Sequence, residues 1–290
     1  MLTSVLLPAA CAVAAFLIAT KHMPRVRGFA MSVACLLSST TLDDFGGVPP
    51  TNRWMLYCVA VALVGCIGAL VGDPKSRRVH QLAMCVVAGC VAASVFALPE
   101  WSGIFSRILL AVATSLVAAI LIPLGSHRAG FSWWCSMGLS FAAVAAIALL
   151  CGFAKLSFAV ASMFATCGLL SLATLVVSPR HTLCGGVPGT LVIAFGVVLG
   201  AAGAYAYDTS GMPRWVFVIA ALSPTGAWLA EAQAFRQSAM TSALARVAGV
   251  LILTGLAVGG AVAHFISSEP TQDAYAYRGD AAPLNNFVSR

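Results

Sequence analysis

Long apolar runs separated by short polar segments recur along this chain from residue 2 to about residue 267. A helix that crosses a lipid bilayer needs about 20 mainly apolar residues, and nine of the runs come close to that length. They cover residues 2–20, 54–72, 79–98, 104–125, 131–152, 156–178, 187–207, 214–231 and 246–267. The pattern therefore predicts an all-α fold, a polytopic bundle of transmembrane helices.

A tenth run, residues 26–45, is harder to assign because its apolar centre, from Gly28 to Leu42, is short. Loop charge favours a crossing. With ten spans and an outer N-terminus, the cytoplasmic side carries ten Lys and Arg residues and the outer side six, whereas nine spans give seven against nine. Because Lys and Arg concentrate in cytoplasmic loops, we expect ten spans, with nine or eight as the alternatives.

The same threading assigns domains and location. Residues 1–268 are predicted to form one transmembrane domain in the cell (inner) membrane, with the N-terminus outside. Residues 269–290 are polar and too few to build a core, so we expect a loosely ordered extracytoplasmic tail.

Two pairs of similar short segments suggest an internal repeat. The loops that begin at Asp44 and Asp208 share the spacing Asp-x-x-Gly-x-Pro followed by Arg-Trp, which indicates a four-span unit used twice in parallel. Residues 46–51 and 185–190 also resemble each other, and this offset gives two five-span halves of opposite orientation. Inverted halves are common in transporters, and the two alternatives stay open.

Composition excludes several classes of protein. Only 9% of residues are charged, against about a quarter in soluble proteins. The net charge of +7 is scattered over short loops and forms no stripe with aromatic residues, so no nucleic-acid partner is expected. Ten cysteines appear without a CxxC or Cys/His cluster, so no metal, cofactor or disulfide framework is predicted.

Ionisable residues and the polar Gln81 lie near the ends of the runs, as Asp43, Asp44, Glu231 and His264 illustrate. Ion-coupled carriers generally need a carboxylate or an unwound helix at mid-depth, and no carboxylate is found there. The chain also lacks the HExxH, Walker and dinucleotide-binding patterns. We therefore expect no enzyme and name no catalytic residue.

Two features are candidates for functional roles. Pro224 and Gly226, in Ser-Pro-Thr-Gly, should kink the ninth span, since proline frees a carbonyl and glycine weakens a helix. The two similar outer loops suggest a clamp in which aspartates and arginines pair across the bundle. Its candidate residues are Asp44, Arg53, Asp208 and Arg214.

Three GxxxG pairs predict close helix packing, because this spacing places two glycines on one helix face. The pairs are Gly68 and Gly72, Gly196 and Gly200, and Gly255 and Gly259.

Two functions fit these features. The first is an uncoupled carrier or permease for a small neutral or apolar solute; the second is a non-transporting membrane scaffold or accessory subunit. A water-accessible cavity at mid-depth would favour the carrier, and a solid bundle with an exposed apolar face would favour the scaffold. The predicted partners are the lipid bilayer and either a second copy of the chain or another membrane protein.

Overall fold

A computed structural model of the protein describes residues 2–22, 26–42, 54–71, 78–96, 103–127, 130–176, 183, 185–232 and 238–268. Over these residues the chain is helical, with no strand. The α-helices are α1 (Leu2–His22), α2 (Arg27–Leu42), α3 (Trp54–Val71), α4 (Arg78–Val95), α5 (Ile104–His127), α6 (Phe131–Leu150), α7 (Ala154–Val176), α8 (Gly186–Ala206), α9 (Arg214–Leu222) and α10 (Ala239–Ser268). A 3₁₀ helix, Ser223–Glu231, follows α9 directly and is called the 3₁₀ segment below.

Seven of these helices are long and apolar enough to cross a membrane, namely α1, α4, α5, α6, α7, α8 and α10. This confirms the all-helical fold and indicates a membrane location. The doubtful run, residues 26–45, contains α2, which has 16 residues, and α3 supplies a shorter apolar helix, Trp54–Leu70. The count of ten spans, the inside–outside orientation and the internal repeat stay predictions.

Helix α8 lies at the centre of the bundle. It contacts α3 and α5 most extensively and also touches α2, α4, α6, α7 and α9. Its residues are mostly Gly, Ala, Val or Leu, and 17 of the 21 are buried. Small side chains let the neighbouring helices approach closely, so the axis of the bundle is filled by packed side chains.

Helices α1 and α2 run antiparallel over the length of α2. The Ser38 hydroxyl donates to the carbonyl of Ser4 at 3.2 Å, while the Arg27 guanidinium donates to the carbonyl of Thr20 at 3.4 Å. Contacts at both ends of α2 therefore join it to opposite ends of α1.

The bundle has two ends that carry different chemistry. The Asp208 end consists of the α6–α7 turn, residues 151–153, the α8–α9 loop, residues 207–213, and the last turns of α10. The Glu231 end consists of the end of the 3₁₀ segment and the first turns of α6 and α10.

Candidate functional site

Asp208 organises the loop between α8 and α9. Its Oδ1 accepts hydrogen bonds from the Ser210 amide at 2.9 Å and the Ser210 hydroxyl at 2.6 Å, and its Oδ2 accepts one from the Met212 amide at 2.6 Å. Gly211 supplies the positive φ of 70° that the tight turn requires. Both carboxylate oxygens are thus engaged by the loop to which Asp208 belongs.

This loop also joins the neighbouring elements. The Thr209 hydroxyl donates to the Cys151 carbonyl at 3.5 Å, and the His264 Nε2 lies 3.1 Å from the Ser210 carbonyl oxygen. Burial, together with the negative charge of Asp208, raises the pKa of the Cys151 thiol to about 12. The thiol is therefore protonated near neutral pH, where only the thiolate would be reactive.

The structure describes two of the four residues of the predicted outer clamp, Asp208 and Arg214. Asp44 and Arg53 lie outside the described residues. Arg214 begins α9 and is exposed, and in the described part of the chain it forms no ion pair with Asp208. Pairing across the bundle stays a prediction.

Pro224 and Gly226 lie where the ninth predicted span changes its helix type. The α-helix ends at Leu222 and the 3₁₀ segment continues for nine residues. Gly226 lies against the backbone of Gly249 in α10; a Cβ on Gly226 would be 2.6 Å from the Gly249 carbonyl carbon. Two glycines thus let the 3₁₀ segment and α10 touch backbone to backbone.

A buried charge pair holds the same two elements together at the Glu231 end. Arg246 is only 5% exposed, and its guanidinium lies 4.0 Å from the Glu231 carboxylate. The same guanidinium donates to the Ser132 hydroxyl at 2.9 Å. Arg246 therefore links α10, the 3₁₀ segment and the start of α6.

Neither Gly249 nor the contacts of Arg246 with Glu231 and Ser132 were identified from the sequence. The available signals were weak, because Gly249 belongs to no GxxxG pair and Arg246 stands at the edge of an apolar run. An arginine so close to a membrane helix, followed by glycine three residues later, is nevertheless a pattern that could have marked this contact.

One predicted glycine pair and one glycine of a second pair contribute to packing around α8. A Cβ at Gly196 would lie 2.9 Å from the Phe141 ring, and one at Gly200 would lie 2.9 Å from Val144. Gly68 of α3 packs against Pro188, whose Cα would be 3.1 Å from a Cβ there. Its sequence partner, at position 72, lies outside the described residues.

The third pair is placed differently. A Cβ at Gly255 or Gly259 would meet no atom of this structure within 4 Å, so within the described chain neither glycine packs against another helix. Gly260 packs against another helix instead, because a Cβ there would lie 2.9 Å from Cζ2 of the Trp215 ring in α9. The Gly255–Gly259 pair therefore faces outward from the bundle.

Two apolar grooves flank α5. One, between α4 and α5, has a volume of about 390 Å³, and the other, between α5, α8 and α9, has a volume of about 410 Å³. Their linings are almost wholly apolar, although Arg214 and Tyr205 border the second groove.

Across the described ranges, no group of three His, Cys, Asp or Glu residues is arranged to hold a metal ion. No protein-family model, curated protein or solved structure matches this chain.

Proposed function

We propose that this protein is a non-transporting membrane scaffold or accessory subunit that binds a transmembrane partner through the outer face of α10. The observation that carries the proposal is the outward Gly255–Gly259 pair. These glycines lie on a helix face that has no neighbour among the described residues, and GxxxG faces allow two helices to approach closely in lipid.

The residues around the glycine pair support this proposal. Leu251, Ile252 and Leu256 are each more than half exposed on the same side of α10. The opposite side is buried against α6 and the 3₁₀ segment through residues such as Arg246 and Thr254. One side of α10 is thus fixed in the bundle, while the other presents a shallow glycine groove with large apolar neighbours.

Helix α10 is also long enough to offer an extended contact. Its 30 residues correspond to about 45 Å of helix at 1.5 Å per residue, against a hydrocarbon core about 30 Å thick. The central α8, packed on all sides, provides the rigid support that a docking helix needs.

Substitution of Gly259 by leucine tests the proposal, because a Cβ at this position meets no atom of the described chain within 4 Å, so the larger side chain should obstruct a partner on this face. We expect the wild-type protein, extracted from its own membranes in mild detergent, to migrate in a native gel above its monomer mass. Gly259→Leu should shift it to the monomer position. Ala83→Leu, the same kind of enlargement on the exposed side of α4, should leave the assembly intact.

Two results would refute the scaffold role. One is a wild-type protein that migrates as a monomer under these conditions, and the other is an assembly that Gly259→Leu leaves unchanged.

A second function, an uncoupled carrier for a small neutral or apolar solute, is favoured by one observation. The last nine residues of the ninth predicted span form the 3₁₀ segment, whereas 3₁₀ runs longer than about four residues are uncommon and often mark hinges. Interrupted helices line the binding sites of many carriers. A carrier needs a path for its solute along the bundle, so the exposure of α8 to water separates the two functions.

A further inference from the structure

The groove between α5, α8 and α9 combines an apolar channel with a cation at its border. Leu109 and Ala113 of α5 line one side, and Phe217 and Ala221 of α9 line the other. Arg214, at the first turn of α9, borders the groove at the Asp208 end. The volume of about 410 Å³ lies within the range of about 300–1,000 Å³ that small-molecule sites occupy.

The charge of Arg214 is available to a ligand. Among the described residues, its guanidinium forms no ion pair or hydrogen bond. The nearest acidic residue along the chain, Asp208, uses both carboxylate oxygens within its own loop. Arg214 is exposed and stands where the helix leaves the apolar region, a position from which a long cationic side chain reaches the head-group layer.

The layout of the groove matches one class of molecule. From Arg214 to Ala221 the α9 wall extends about 10 Å, with the charge at one end and only apolar side chains below it. A phospholipid has the same order, since its phosphate lies at the membrane surface and its acyl chains lie beneath. Arginine is well suited to the phosphate because its planar guanidinium can donate two parallel hydrogen bonds.

We propose that this groove binds an anionic phospholipid, with one acyl chain between α5 and α9 and the phosphate on Arg214. An anionic lipid is favoured over a zwitterionic one because the ammonium of a zwitterionic head group competes with Arg214 for the same phosphate. The site is independent of the α10 face and of the partner proposed for it.

The second groove provides an internal comparison. It lies on the other side of α5, has nearly the same volume of about 390 Å³, and is lined by residues such as Leu82, Val86, Ile108 and Val112. No charged residue lines it. It should therefore accept acyl chains of any lipid without selecting the head group.

Native mass spectrometry of the purified full-length protein, released from nanodiscs that contain equal amounts of phosphatidylglycerol and phosphatidylcholine, tests the site. We expect the wild type to retain phosphatidylglycerol in preference to phosphatidylcholine. Arg214→Gln should weaken this retention about tenfold, as the loss of a charge-assisted hydrogen bond predicts. Arg107→Gln, which removes an exposed arginine from the first turn of α5 without touching the groove, should retain the lipid as the wild type does.

A second pair of variants tests the apolar part of the site. Ala113→Phe fills the groove between α5, α8 and α9 and should reduce retention of phosphatidylglycerol. Val112→Phe fills the groove between α4 and α5 and should leave this retention unchanged. Inorganic phosphate at millimolar concentration should not displace the lipid, because the acyl chain contributes to binding.

Any of three results would overturn the proposal: equal retention of the two lipids by the wild type, full retention by Arg214→Gln, or equal losses from Arg214→Gln and Arg107→Gln. Displacement by inorganic phosphate alone would identify a simple anion site and would also overturn it.

Discussion

Replacement of Gly249 by valine should lower the free energy of unfolding by about 3 kcal/mol, at the upper end of the usual cost of overpacking. A Cβ at this position would press on the Gly226 carbonyl and would lie 3.0 Å from both the Gly226 carbonyl carbon and the Leu229 Cβ. The obstacle includes backbone of the 3₁₀ segment, which cannot rotate away as a side chain can. Thermal unfolding in detergent, or steric trapping in bicelles, measures the loss.

Gly168→Val is the matched control, because it makes the same change inside another helix, α7, at a position where a Cβ would meet no atom of the described chain within 4 Å and which lies outside the proposed α10 interface. We expect its stability to stay within about 0.5 kcal/mol of the wild type, as for surface substitutions. Equal losses from the two variants would show that helix propensity, rather than the contact between Gly226 and Gly249, determines the effect.

Replacement of Arg246 by methionine should cost about 3–5 kcal/mol, because it leaves the Glu231 carboxylate largely buried without the guanidinium. The carboxylate lies 4.0 Å from Arg246, and the two side chains are 7% and 11% exposed. Replacing Glu231 by methionine as well should recover most of the loss, since a well-packed apolar pair often equals a buried ion pair in stability.

The same unfolding measurement decides this prediction. Arg107→Met removes an exposed arginine and should change stability little. The Arg246–Glu231 pair does not stabilise the protein as proposed if Arg246→Met is as stable as the wild type, or if the double variant is no more stable than the single one.

The helices could be predicted closely from the sequence because one physical quantity, the length of an uninterrupted apolar run, determines them. The predicted run 187–207 corresponds to α8, Gly186–Ala206, and the predicted run 131–152 corresponds to α6, Phe131–Leu150. Even the short run 26–45 contains a continuous helix, Arg27–Leu42.

Which side of a helix faces a neighbour could not be predicted in the same way. In α10, Gly249 and Gly260 face other elements, while Gly255 and Gly259 face outward. The GxxxG spacing indicates only that two glycines share a face. The direction of that face depends on where α6, α9 and the 3₁₀ segment lie, which is a property of the whole bundle.

The role of Asp208 shows a related limit. Its charge and its resemblance to the loop at Asp44 suggested an ion pair between distant loops. The structure places both oxygens on Ser210 and Met212 of the same loop, while pairing with the other loop stays a prediction because Asp44 and Arg53 lie outside the described residues. An aspartate followed by serine two residues later and glycine three residues later is typical of such a turn, so these contacts within the loop could have been predicted from the sequence.

Hydrogen–deuterium exchange along α8 in nanodiscs tests whether the axis of the bundle is closed to water, because a scaffold packed around α8 has no water beside its middle turns. We expect the amides of residues 191–201 to stay protected for hours, as slowly exchanging as the slowest amides of the protein. Exchange of this segment within minutes, while α6 stays protected, would reveal a water path along the axis. That result would contradict the scaffold and support the carrier.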